Sequence, residues 1–222
     1  MSDNAELQSE YPFVVSEIAK RLSVCEQMLS NLSSDPLNED GWIASDLVSL
    51  QMRKTCEMML LGSALAHLRE GNSEVNPRKW RPKDSFNELS KVNQFPLPAP
   101  IELAFGQHPS GAKQILPASK PIPFGTISAI YGHCGDLLHV PSPARVLKGK
   151  ISPFDIGKFV GWVEGLKRLI AGHVLMMPER KTILLCLWNG VKATPPSVYL
   201  MEADGPSTFN VDQLPDFSLL TP

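Results

Sequence analysis

The sequence predicts an α+β protein that is mainly an α-helical bundle with a C-terminal β-hairpin or small antiparallel sheet. Two long segments in the first half and a third over 153–176 repeat apolar residues at spacings of three and four, as amphipathic helices do. Near the C-terminus, segments 182–188 and 197–203 read as strands, with an Asn-Gly pair and two prolines between them. We expect residues 11–222 to form a single domain, since a chain of 222 residues can bury one sizeable core.

Residues 1–10 are polar and acidic, and we expect them to form a flexible N-terminal tail. The first helix is predicted to begin near Pro12, because proline is favoured in the first turn of a helix. Ser, Asp, Pro and Gly residues between Asn31 and Gly41 end it. Its apolar stripe consists of Val14, Ile18, Leu22, Cys25, Leu29 and Leu32.

The second helix is predicted to run from about Ser45, a suitable N-cap residue, to about Glu70, with Gly71 as its stop signal. Between Cys56 and Leu65 its apolar residues lie on nearly every side. We therefore expect this helix to lie at the centre of the core.

The segment 93–124 contains seven prolines, which exclude a long helix. It also contains several large apolar side chains, unlike a disordered linker. We expect an ordered, extended segment that crosses the helices, and the sequence leaves open whether it contains strands. A short helix over Asp84–Val92 is predicted to precede it.

Two more helices are predicted after the proline-rich segment. The first covers Thr126–His139, and prolines at 141 and 143 end it. The second begins with Ser152 as its cap and Pro153 in its first position, and continues to about Met176. Its glycines at 157, 161 and 165 lie opposite the apolar stripe and would allow another helix, of this chain or of a partner, to approach closely.

Composition and charge exclude several classes of protein. The net charge is −2, so no basic excess supports an RNA partner, although basic residues are concentrated in the last third of the chain. No apolar run reaches the roughly 18 residues that a membrane span needs, so we expect no membrane association. The polar first ten residues do not resemble a signal peptide. The four cysteines form no CxxC pair, and we expect free thiols and a cytoplasmic protein.

The second helix carries one ion pair on an otherwise apolar face. Arg53 and Glu57 are four residues apart and can therefore pair. Charges in such a place must be paired and hydrogen-bonded, or they cost several kcal/mol. Two interpretations stay open: a structural ion pair that fixes the register of the helix, or a pair that lines an internal binding site.

The stretch Tyr131–His139 offers a second polar set. On a helix, His133, Asp136 and His139 fall within an arc of about 120°. They suit three roles: a polar face with Asp136 as a local hydrogen-bond partner, an acid–base or anion-binding site, or a metal site. The metal is the least favoured, because the usual helical zinc pair places its histidines four apart and these are six apart. We predict no metal and no cofactor.

A third set is Arg168-Leu-Ile-Ala-Gly-His173, an arginine followed after four residues by a histidine. This motif resembles that of HEPN-type helical domains, many of which cleave RNA. The resemblance implies that Arg168 stabilises a phosphate and that His173 transfers a proton. In one continuous helix the two side chains differ by about 140°, so they converge only if the helix bends at Gly172. The structural alternative is a buried or capping His173 near the helix end.

Two functions follow as hypotheses. The first is a non-enzymatic interaction or accessory protein, with a homodimer or a protein partner as candidates, because the chain has no phosphate loop, dinucleotide fingerprint or GxSxG motif. The second is a HEPN-like ribonuclease or phosphoester-directed enzyme. In this enzyme Arg168 would contact the phosphate, and His173 or His139 would transfer a proton. Asp136 would orient the histidine, and Arg53 and Glu57 would support these residues from a second layer. Convergence of these groups at an open surface would favour the enzyme.

Overall fold

The structure, a computed structural model, confirms the predicted α+β class. It describes residues 2–32, 39–69, 84, 89, 91, 97–104, 114–117, 124–141, 143–149, 153–177, 182–188 and 195–202. The helices in these ranges are α1 (Ser2–Asn31), α2 (Glu39–Arg69), α3 (Phe124–Leu138), α4 (Pro143–Leu147) and α5 (Ile156–Ala171). The strands are β1 (Ala99–Ala104), β2 (Gln114–Pro117), β3 (Gly172–Met177), β4 (Thr182–Leu187) and β5 (Ser197–Glu202). None of the described helices is long and apolar enough to span a membrane.

Helix α1 begins at Ser2, so the predicted start near Pro12 is wrong. The apolar stripe continues past the proline in the N-terminal direction, through the buried residues Tyr11 and Leu7. Pro12 lies inside the helix, where it removes one backbone hydrogen bond. Burial of Leu7 and Tyr11 offsets that loss, and residues 2–10 belong to the helix.

Helix α2 lies at the centre of the core, as predicted, and packs against α1 and α3. Arg21 of α1 bonds Gln51, and Cys25 lies against the carbonyl of Val48, so the two helices run antiparallel. At Gly62 the helices approach so closely that a Cβ atom there would lie 3.2 Å from the ring of Tyr11. The helix starts at Glu39, earlier than the predicted Ser45, and ends at Arg69, close to the predicted end.

Helix α5 is shorter than predicted at both ends. Its N-cap is Asp155, whose carboxylate accepts a hydrogen bond from the backbone N–H of Lys158, and not Ser152. It ends at Ala171, and the next residue begins strand β3. The predicted extension to Met176 is wrong because residues 172–177 pair along their whole length with β4.

The five strands form one antiparallel sheet in the order β2-β1-β3-β4-β5. The hairpin of β4 and β5 is confirmed, and β3 extends it into a meander. The proline-rich segment supplies β1 and β2, which answers the question that the sequence left open. One face of the sheet joins the helical core through Leu175, Leu184 and Cys186, while Leu185 and Leu187 form a small cluster on the other face.

Several predicted features lie partly or wholly outside the described residues. The helix predicted over 84–92 is described at Asp84, Leu89 and Lys91, each of which is helical. Residues 203–222 are outside the described ranges. The glycines of α5 were predicted to allow close approach of another helix. Gly165 is buried, whereas no atom lies within 4 Å of the position that a Cβ atom on Gly161 would take.

Candidate functional site

Arg53 and Glu57 form the predicted ion pair on α2. Nε of the arginine lies 3.5 Å from a carboxylate oxygen of the glutamate, and the two side chains are 25% and 31% exposed. Both side chains are therefore partly exposed to solvent. The pair holds the arginine head at the junction of α2 with α3.

Tyr131 of α3 contacts the same guanidinium in two ways. Nη2 of Arg53 donates a hydrogen bond of 3.0 Å to the tyrosine hydroxyl, and the guanidinium carbon lies 4.7 Å from the ring centroid. The second contact is a cation–π interaction, which contributes about 0.5–2 kcal/mol depending on exposure. Tyr131 thus fixes both the position and the plane of the arginine head.

His139 and Gly135 complete the set. Nη1 of Arg53 lies 3.5 Å from Nε2 of His139, and a Cβ atom on Gly135 would lie 3.2 Å from Nη1. The glycine therefore leaves room for the guanidinium against α3. Tyr131, Gly135 and His139 recur every four residues, so they share one face of this helix. We call Arg53, Glu57, Tyr131, Gly135 and His139 the Arg53 surface.

The two histidines of the predicted histidine–aspartate set have different neighbours: His133 packs against α5, whereas His139 lies against Arg53 of α2. The ring of His133 is 5.4 Å from that of Trp162, in an edge-on arrangement, and 6.0 Å from that of Phe159. Burial and the nearby Lys158 ammonium lower the pKa of His133, while the Asp136 carboxylate acts in the opposite direction. Asp136 itself is exposed. His133 therefore belongs to the packing between α3 and α5.

His173 is 2% exposed, and both of its ring nitrogens are engaged. Nδ1 donates to the carbonyl of Leu169 at 3.0 Å, because a carbonyl can only accept. In the neutral ring, Nε2 then accepts a hydrogen bond of 2.9 Å from the hydroxyl of Tyr11. Burial lowers the pKa of His173 to about 4 and raises that of Tyr11. The imidazole is held neutral inside the fold.

Arg168 is exposed in the last turn of α5, whereas His173 points into the core from β3. The cavity beside His173 is apolar and has a volume of about 10 Å³. That is about the minimum for one water and far below the size of a substrate site. The catalytic pairing of Arg168 with His173 stays a prediction, and its geometry favours the structural alternative for His173.

The cysteines are free and buried, as predicted. Burial raises the pKa of Cys134 to about 12 and holds that of Cys56 well above its usual value. Neither thiol is therefore activated as a nucleophile. Among the residues that the structure describes, no group of three or more His, Cys, Asp or Glu side chains is arranged to hold a metal ion.

The sequence interpretation missed Tyr131, Gly135 and Tyr11. The first two carried a usable signal, because they precede His139 at intervals of four on a predicted helix. Tyr11 carried none, since its partner is 162 residues away.

Comparisons with protein families, with curated proteins and with solved structures found no match to this chain.

Proposed function

We propose that this protein is a non-enzymatic interaction module that associates with a second copy of itself. Two exposed apolar surfaces of opposite charge carry the proposal. Val140 is 94% exposed and Leu147 is 88% exposed, and Lys148 beside them is also exposed. At the start of α2, Trp42 is 72% exposed and Ile43 is 67% exposed.

The first surface, formed by the exposed residues Val140 and 146–148, is basic. It carries Lys148, and the sequence of segment 140–149 contains no acidic residue. Helix α4 has only five residues, and Gly149, in the left-handed conformation at φ 61°, closes a turn by bonding the carbonyl of Val146. This turn holds Leu147 outwards, where burial against a partner would contribute about 1.5–3 kcal/mol.

The second surface, the first turns of α2, is acidic. Asp46, one turn after Trp42 on the helix, is exposed, and no basic residue occurs in the sequence between 39 and 46. Each copy would then present a basic apolar surface and an acidic apolar surface. In a two-fold dimer the basic surface of each copy can pack against the acidic surface of its partner, so that all four surfaces are covered.

Sedimentation velocity of the full chain tests this proposal. We expect a dimer that Leu147→Asp and Trp42→Ser each convert to a monomer, and that weakens as salt rises. Phe13→Ser is the matched control, because Phe13 is an exposed aromatic residue outside both surfaces. A wild-type chain that stays monomeric at high concentration, or a dimer that survives both substitutions, would refute self-association through these surfaces.

The Arg53 surface supports a second candidate, a phosphoester-directed enzyme. Arg53 and His139 come together beside solvent, whereas His173 is enclosed with both nitrogens bonded. Arg53 would stabilise charge in the transition state, and His139 would serve as a general acid–base, with Asp136, three residues before it, as the orienting carboxylate.

An RNA-degradation assay separates the two candidates. The enzyme hypothesis predicts cleavage that His139→Ala removes. His173→Ala shows whether the buried histidine contributes as well, provided that the variant is folded. Absence of cleavage by the wild-type protein would eliminate the ribonuclease form of the enzyme hypothesis and favour the interaction module.

A further inference from the structure

We propose that the Arg53 surface is a binding site for a phosphate group, with Arg53 as the main contact and His139 as the second. The proposal goes beyond self-association. It rests on the second candidate function and names the chemical group that this candidate would recognise. Binding can be tested separately from catalysis, because a phosphate group can bind without being cleaved.

The Arg53 head is ordered before any ligand arrives. Glu57 lies against Nε, the Tyr131 hydroxyl accepts from Nη2, and His139 lies next to Nη1. A guanidinium has five N–H donors, so these three contacts leave further donors on the terminal nitrogens. A pre-positioned arginine fork loses less entropy when it binds an oxyanion than a freely rotating side chain does.

His139 adds a donor at one end of this fork. Its side chain is exposed and follows directly after α3, where its backbone N–H still bonds the carbonyl of Gly135. A neutral ring with the proton on Nδ1 accepts from Arg53 through Nε2. With a proton on Nε2 the ring becomes a donor, and an oxyanion between the two groups would accept hydrogen bonds from both.

The neighbouring charges indicate which oxyanion suits the site. Glu57 offsets one positive charge, Asp136 is exposed nearby on α3, and Lys54 is exposed next to Arg53 on α2. Long-range attraction is therefore weak, and recognition depends on directed hydrogen bonds. Two arginine nitrogens and one imidazole nitrogen supply donors for three oxygens, which a phosphate group has and a carboxylate does not.

Proton NMR of the full chain during titration with inorganic phosphate, at constant ionic strength, tests the proposal. The ring signals of His139, assigned by their loss in His139→Gln, should shift and saturate in the wild-type protein. Arg53→Lys keeps the charge but removes the fork, and should weaken binding about tenfold or more. Lys20→Gln, which removes an exposed cation of α1, is the control and should titrate like the wild type.

Gly135→Ala gives an independent test if Arg53→Lys proves unstable. The added methyl group displaces Nη1 without altering any charge, and should also weaken binding. Signals that never saturate, or that saturate equally in wild type and both Arg53 surface variants, would overturn the proposal. Saturable binding without RNA cleavage would retain the phosphate site and eliminate only ribonuclease activity.

Discussion

The hydroxyl of Tyr11 and Nε2 of His173 lie 2.9 Å apart and join the N-terminal helix to strand β3 across 162 residues. Their rings are also in contact, with centroids 5.7 Å apart. Because the other imidazole nitrogen bonds the carbonyl of Leu169, the histidine is satisfied only while the tyrosine hydroxyl is present. The pair therefore ties α1, α5 and β3 together at one buried point.

Removal of this hydroxyl should destabilise the fold. Tyr11→Phe leaves Nε2 of His173 buried without its donor, and we expect the free energy of unfolding to fall by about 1–3 kcal/mol. Urea denaturation followed by circular dichroism measures the change. Tyr199→Phe, on the partly exposed strand β5, is the control and should stay within about 0.5 kcal/mol of wild type. Equal stability of Tyr11→Phe and wild type would show that the bond contributes nothing.

His173 should also make stability depend on pH in a defined window. Its pKa is about 4 in the fold and 6.5 in a freely solvated ring, so the unfolded chain binds the extra proton first as pH falls. Stability contributed by the neutral ring is complete above pH 6.5, declines between pH 6.5 and about 4, and changes little below that. The total loss is about 3 kcal/mol.

The variant His173→Gln isolates this contribution. A glutamine can donate to a carbonyl and accept from a hydroxyl, but it does not titrate. Urea unfolding at a series of pH values should give a shallower slope for the variant than for wild type between pH 6.5 and 4. Parallel curves for the two proteins would mean that His173 does not keep its low pKa in the folded state.

The contact between α1 and α2 should not tolerate a methyl group at Gly62. A Cβ atom there would lie 3.2 Å from the Tyr11 ring and from a methyl carbon of Val14, in a closely packed region. We expect Gly62→Ala to lower the free energy of unfolding by about 1–3 kcal/mol. Gly132→Ala on α3 is the matched control, since nothing lies within 4 Å of its Cβ position. That substitution should stabilise the protein by up to about 1 kcal/mol, and a stabilising effect at both sites would contradict the close approach.

The parts of the fold that the sequence predicted well are those that depend on local periodicity. The apolar stripes of α1 and α5 and the hairpin of β4 and β5 were identified because each repeats within its own segment. Strand β3 was missed, because a run such as His173–Met177 is apolar enough for a helix end or a buried strand. Only pairing with β4, which lies further along the chain, decides between them.

The candidate site was predictable in part for the same reason. Arg53 and Glu57 were identified from their spacing and their apolar surroundings, and His139 from its place on a helix. The contacts of Arg53 with Tyr131 and His139 span 78 and 86 residues, and they depend on how α2 packs on α3. Tyr131 was not predicted as a site residue because it carries no charge, although its hydroxyl and ring position the arginine.

The most direct measurement of whether the Arg53 surface binds phosphate is thermal unfolding of the wild-type protein and Arg53→Lys at increasing phosphate concentration and constant ionic strength. A ligand that binds only the folded state raises the melting temperature with concentration, whereas general stabilisation by phosphate acts on both proteins alike. We predict a melting temperature that rises further for the wild type than for Arg53→Lys. Identical increases in both proteins, or none in either, would contradict the phosphate site.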